Sequence, residues 1–255
     1  MTEPDAPAND TVAALERRAA AGDTKAMFDL GRLYDLPAKD GVPLDLERAR
    51  HWYEKAADAG HAWAQFALGN IYDNAHGVPR NHRAARKWYE AAARQGVAEA
   101  QMHLGRMLQT GRGGAASPVE AAYWYELAAK GGHELAATNL ALMHLADEAP
   151  GASAARALEL LEFAADKLDG LAHLVLGDLY REGRAVARHG GLALAHYCVA
   201  VMLLPQGPNA ERAHELKERF LAQRPDLREE YEAQAREFVA GRRTPGGDMH
   251  RHSPG

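Results

Sequence analysis

Residues 64–96 read AQFALGNIYDNAHGVPRNHRAARKWYEAAARQG. Two amphipathic helices lie in this stretch, parted by a turn. Leu68, Gly69 and Tyr72 share one face of the first. Ala85, Trp88, Tyr89 and Ala92 follow the i, i+3, i+4, i+7 spacing that puts them on one face of the second. Between them, Gly77-Val78-Pro79 stops a helix. The stretch is one copy of a motif that recurs along the chain, and the recurrence decides the fold.

Outward from that copy, Trp52-Tyr53, Trp88-Tyr89 and Trp124-Tyr125 are spaced by 36 residues. A further step of 36 reaches Leu160-Leu161, and a step of 38 reaches Cys198-Val199. A second column runs Leu30-Gly31, Leu68-Gly69, Leu104-Gly105, Leu140-Ala141 and Leu176-Gly177. A third holds Tyr34, Tyr72, Leu108, His144 and Tyr180, and a fourth the Ala pairs 56–57, 92–93, 128–129 and 164–165. Each unit therefore has a helix A with the Leu-Gly pair and a helix B with the aromatic pair. Glycine inside a helix costs about 1 kcal/mol against alanine. Its repetition in helix A predicts a close approach to helix B that a Cβ would obstruct. Asp45, Asn81, Ser117, Ser153 and Gly191 lie seven residues before the B-helix pair and read as its N-caps. Gly60, Gly96 and Gly132 end the B helices, with Leu168 at that place in unit four.

These residues resemble the Sel1-like repeat: Ala64, Leu68, Gly69 and Tyr72, then Gly77-Val78, then Ala85, Trp88, Tyr89, Ala92, Ala93 and Gly96. The match is strongest in units one to three and covers roughly residues 11–203. The resemblance implies an all-α fold, a right-handed α/α superhelical solenoid related to tetratricopeptide arrays. About five helix pairs are expected, over 24–60, 61–96, 97–132, 133–170 and 171–203. An N-terminal half-repeat precedes them, and C-terminal capping helices follow within 205–240, about 209–222 and 226–240. Such caps cover stacking faces that terminal repeats would otherwise expose. Residues 1–10 and 241–255 read as disordered.

Composition narrows the function. The 255 residues carry 30 Lys and Arg against 35 Asp and Glu, a formal charge of −5. That balance argues against nucleic acid as the partner. The single cysteine, Cys198, excludes an internal disulfide. No secretory signal or membrane span is read, so a cytoplasmic protein is expected. No catalytic, cofactor or metal motif is found, and a non-enzyme is expected. His250 and His252 in the tail are too weak a pair for a metal site. His61 and His133 share the place before helix A where Asp23 and Asp169 stand, a helix-start role.

In related solenoids helix A lines the concave surface, which implies a protein or peptide partner bound there by an adaptor. The helix-A positions between the core columns are the candidate contacts: Phe28, Arg32 and Asp35; Trp63, Phe66, Asn70 and Asp73; Met102, Arg106 and Gln109. Lys25 and Glu99 extend the rows. An aromatic centre with an arginine rim is interface composition; the alternative for Trp63 and Phe66 is packing between neighbouring A helices. Two other readings stand beside this one. One is a homo-oligomeric structural or regulatory subunit, a homodimer joined through its C-terminal helices. The other is a β-lactam-binding, hydrolase-like repeat protein. The single cysteine weakens that last reading, because those relatives carry a Cys pair in every repeat.

Overall fold

The computed structural model describes residues 12–36 and 42–243. The sequence expectations for residues 1–10 and for 244–255, including His250 and His252, lie outside them. Thirteen α-helices and one short 3-10 helix account for the regular structure of the described residues, and no strand occurs among them. No helix there is long and apolar enough to cross a membrane. The fold is an α/α solenoid that divides into two compact units, before and after the Gly132–His133 junction.

In the first unit α1 (Val12–Ala20) is a half-repeat packed on α2 (Thr24–Asp35). Then come α3 (Leu46–Asp58), α4 (Ala62–Asn74), α5 (His82–Arg94), α6 (Ala98–Thr110) and α7 (Pro118–Lys130). The pairs α2–α3, α4–α5 and α6–α7 make the closest contacts. The second unit pairs α8 (Glu134–Leu145) with α9 (Ala154–Asp166), and α10 (Gly170–Glu182) with α11 (Gly190–Leu203). Helices α12 (Pro208–Leu221) and α13 (Arg228–Arg243) pack on α11 as the cap. Gly241 thus belongs to a helix that runs to Arg243, not to the tail predicted from 241.

The helix-A glycine has the predicted reason. A Cβ on Gly31 would lie 2.5 Å from the Tyr53 ring, on Gly69 2.5 Å from Tyr89, and on Gly105 2.8 Å from Tyr125. In α10 a Cβ on Gly177 would lie 2.5 Å from Tyr197. This contact corrects the register of unit five. Tyr197, not Val199, takes the tyrosine place, so the spacing stays at 36 and the B-helix pair is His196-Tyr197. The cap moves with it: His189, not Gly191, is the N-cap of α11 and accepts from the Leu192 amide at 3.0 Å. The two registers look alike in sequence because Cys198-Val199 is also apolar. Unit four shows the complementary exchange, with Ala141 opposite the smaller Leu161, both fully buried. The tryptophans of the pair are only half-buried, so the core contact belongs to the tyrosine.

Three further recurrences fix the stack. The N-cap amide of helix B donates to the third-column carbonyl of helix A: Asp45 to Tyr34, Asn81 to Tyr72, Ser117 to Leu108 and His189 to Tyr180, all at 2.8–2.9 Å. In unit four the Ser153 amide instead reaches Nδ1 of His144, at 3.3 Å. Three residues before the Leu column, Gln65, Gln101 and His173 each reach back to a carbonyl near the end of the preceding helix B (Ala57, Ala93 and Ala165) at 3.1–3.2 Å. That side-chain column was not seen in the sequence. The helix-B terminal glycines Gly60, Gly96 and Gly132 have positive φ, and Leu168 adopts the same left-handed backbone with φ 63°. Leucine is strained there, and its side chain packs against the α11–α13 core.

The glycine–tyrosine contact makes Gly105→Ala destabilising by about 1–2 kcal/mol through overpacking. Tyr125→Leu added to it should recover about 1 kcal/mol of the sum of the single effects, as in the Ala141–Leu161 pair. A denaturant double-mutant cycle showing additive effects would contradict the contact. At the C-cap of α4, Ala75 has φ 61° where α6 and α10 have Gly111 and Gly183. Ala75→Gly should therefore stabilise the protein by about 0.5–1 kcal/mol, read from the urea midpoint.

Candidate functional site

The A helices α2, α4 and α6 place their intervening residues along one face of the first unit. Phe28 and Met102, expected at exposed positions, are buried, and so is Trp63, in keeping with the packed alternative for that residue. Phe28 stacks on the His61 ring with centroids 4.6 Å apart. Trp63 meets Phe66 edge-on at 5.8 Å, and Phe66 itself is half-buried. Phe28 thus meets the start of α4, and Phe66 meets His103 of α6 with centroids 5.7 Å apart.

The polar residues of this face are tied to the tyrosines beneath it. Tyr53 donates its hydroxyl to Asp35 at 3.3 Å, Tyr89 to Asn70 at 2.7 Å and Tyr125 to Gln109 at 3.1 Å. A buried phenol needs such an acceptor. Burial pushes the Tyr89 and Tyr125 hydroxyls far above the ordinary phenol range, so they remain donors. Asp35 also holds His76, Nε2 to Oδ1 at 3.0 Å.

Asp73 is placed differently from the sequence expectation. Its carboxylate is almost wholly buried, with His82 Nδ1 and Arg112 Nη2 each 2.9 Å from Oδ1 and Arg106 Nη2 3.8 Å from Oδ2. It joins α4, α5 and the end of α6 instead of facing outward. The cluster draws on residues 9 and 39 positions away, beyond any local pattern.

A groove of about 400 Å³ opens on this face. Six of the ten predicted contacts line it: Phe28, Arg32, Asp35, Trp63, Phe66 and Asn70. Asp73, Met102, Arg106 and Gln109 do not. Glu99 does, with Oε2 buried and without a hydrogen-bond partner among the described residues. Tyr53, Ala67 and His76 also line it and were missed. Tyr53 stands in a repeat column of helix B, which in sequence marks it only as a packing residue. Ala67 looked unremarkable by itself, although its repeat equivalent is His103. Among the described residues no group of three or more His, Cys, Asp or Glu is placed to hold a metal ion. Cys198 is buried in the second unit, where burial pushes its thiol up to about 11.

The Sel1 repeat model matches residues 24–61, 64–97, 98–133 and 135–167, more than half of the chain. The chain belongs to the Sel1 repeat family. Repeats of this family typically build protein–protein interaction scaffolds. The α10–α11 pair lies beyond the matched Sel1 stretches, yet keeps the Gly177–Tyr197 contact. A Sel1 repeat protein from Oxalobacter formigenes is 32% identical, with a TM-score of 0.69 over 76% of this chain and 80% of that one. A protective antigen of uropathogenic Escherichia coli strains, displaying an SLR fold, is 23% identical with a TM-score of 0.72 over 83% of this chain. The match spans about half of that antigen's length, 49%. No curated protein matches the sequence.

The Asp73 cluster yields a stability prediction. Asp73→Ala should lower the unfolding free energy by about 2 kcal/mol, discounted from a fully buried pair because both arginines are partly exposed. Urea denaturation measures it, and a loss below about 0.5 kcal/mol, the range of a surface substitution, would show that the cluster is not a structural tie.

Proposed function

We propose that this Sel1 repeat protein is an interaction scaffold that holds a partner peptide or domain in the helix-A groove of its first unit. The observation that carries the reading is the composition of that groove. Aromatic side chains form its floor, while Arg32, Asp35 and Glu99 stand around them. Apolar anchors ringed by charge are the arrangement in which a few contacts supply most of the binding energy. The groove is open along its length, so it suits a segment of chain better than a small molecule that must be enclosed. Its rigidity favours affinity, because residues held in repeated helix pairs lose little freedom on binding.

The test is affinity purification with the full chain as bait, beside Phe66→Ala and Arg32→Glu baits whose helicity and melting are checked by circular dichroism. A partner recovered with the wild type should fall at least tenfold with both folded variants. Equal recovery with all three baits would place the binding surface elsewhere.

A further inference from the structure

One repeat position changes character in the last helix pair. Five residues after the helix-A leucine stand Asp35, Asp73, Gln109 and Leu145, and in α10 the residue there is Arg181. The residue that follows the next helix-B cap is His82 in the repeat of Asp73 and Gly190 in the repeat of Arg181. Arg181 and Gly190 line a cavity of about 410 Å³ together with Arg188, from the loop ahead of α11, and Arg219 of α12. Leu216 and Phe220 supply its apolar lining. Three arginines from three segments thus meet at one cavity, and no carboxylate among the described residues lines it. The chain has no Asp or Glu at all between Glu182 and Glu211.

The charges around the cavity do not balance. Arg181 is braced, donating Nε to the Tyr197 hydroxyl and Nη2 to Asp178, each at 3.1 Å. Glu182 also pairs with Arg181, and Arg212 pairs with Asp178. Those two carboxylates answer Arg181 and Arg212. Arg188 and Arg219 are exposed, and neither has an ion pair or a side-chain hydrogen bond among the described residues. Glu215 stands one turn before Arg219 without pairing with it there. A concave site lined by one sign of charge concentrates ligands of the other. The start of α11 adds to the arginines. Its first turn holds no acidic residue, so the positive end of the helix is unopposed. A Cβ on Gly190 would lie 3.2 Å from the Phe220 ring. With a hydrogen there instead, the first amide of the helix, which has no acceptor within α11, borders the cavity.

We infer that the cavity lined by Arg181, Arg188 and Arg219 binds a phosphorylated side chain of a partner protein. A phosphoserine carries a charge of about −1.5 to −2 near neutral pH and three acceptor oxygens. That matches the two cations left unanswered, and the planar arginine fork pairs with phosphate in bidentate fashion. A carboxylate carries one charge and would leave one of the two cations without a counter-charge. The exposure of Arg188 and Arg219 favours a side chain presented by a macromolecule over a free small molecule, which a site must largely enclose. The site belongs to the second unit and is independent of the helix-A groove.

The test uses the purified full chain and a fluorescein-labelled peptide library with phosphoserine fixed at its centre and degenerate flanks, read by anisotropy. The phosphorylated library should bind at least tenfold more tightly than libraries with serine or glutamate at the centre. Arg188→Ala and Arg219→Ala should each weaken it at least tenfold with the melting temperature unchanged, since both side chains are exposed. Arg181 is kept, because it also braces Tyr197. Arg184→Ala, in the same loop but not lining the cavity, removes the same net charge and should leave binding unchanged. So should Phe66→Ala in the helix-A groove. Equal binding of the serine library, or equal losses with Arg184→Ala, would overturn the site. A loss with Phe66→Ala alone would place the peptides in the groove instead. Inorganic phosphate that binds as tightly as the peptides would make this a site for the free ion and sink the partner reading. Vesicles of phosphatidylcholine with phosphatidylinositol 4-phosphate, bound through Arg188 and Arg219 while the peptides are not, would replace the protein partner by a membrane surface.

Discussion

The structure depends on a tyrosine ring lying flat against a stretch of helix that has no side chain. In four of the five helix pairs the ring of helix B occupies the place a Cβ of helix A would take. The contact trades helix propensity for close packing, since glycine costs about 1 kcal/mol against alanine in a helix while a fully buried aromatic contributes more than that. It also sets the distance between the two helices of a pair. The cap amide of helix B then falls within reach of a helix-A carbonyl, as Asp45, Asn81, Ser117 and His189 all show. In unit four the ring and the bare backbone change together, into Leu161 and Ala141.

The same ring shapes the surface above it. A tyrosine buried this deeply must give its hydroxyl an acceptor, and the acceptors are the outward residues of helix A: Asp35, Asn70, Gln109 and, in the second unit, Asp178. Part of the polarity that resembles a binding rim is therefore owed to the core. Asp73 carries this furthest, because a carboxylate on the supposed rim is sealed among His82, Arg106 and Arg112. What distinguishes a functional feature in such an array is departure from its neighbours. Ala67 departs by being small where His103 is large, and Glu99 by a buried oxygen without a hydrogen-bond partner among the described residues.

The repeat was legible because each unit needs the same contacts. Leu30, Leu68 and Leu104 are buried, the glycines meet the rings, and Asp45, Asn81 and Ser153 accept amides at their helix starts. Legibility failed where two registers were chemically alike. Cys198-Val199 and His196-Tyr197 both place apolar bulk on α11, and only the ring against Gly177 separates them. It failed again for the bonds of Gln65, Gln101 and His173, whose acceptors lie on the preceding helix.

The sequence alone determined an all-helical repeat with a period of 36, the residue types of its core and caps, and the helix-A face that lies between the core columns. These follow from local periodicity and from the energetic cost of mid-helix glycine, both of which can be counted along the chain. The tertiary structure decided which of that face's residues remain open. Phe28, Trp63 and Met102 are buried, Phe28 against the His61 ring at the start of α4, and Asp73 is taken up by cations from two other segments. The groove is lined jointly by residues of α2, α3, α4 and α6. That property belongs to the distance between helices, and no single stretch of sequence contains it.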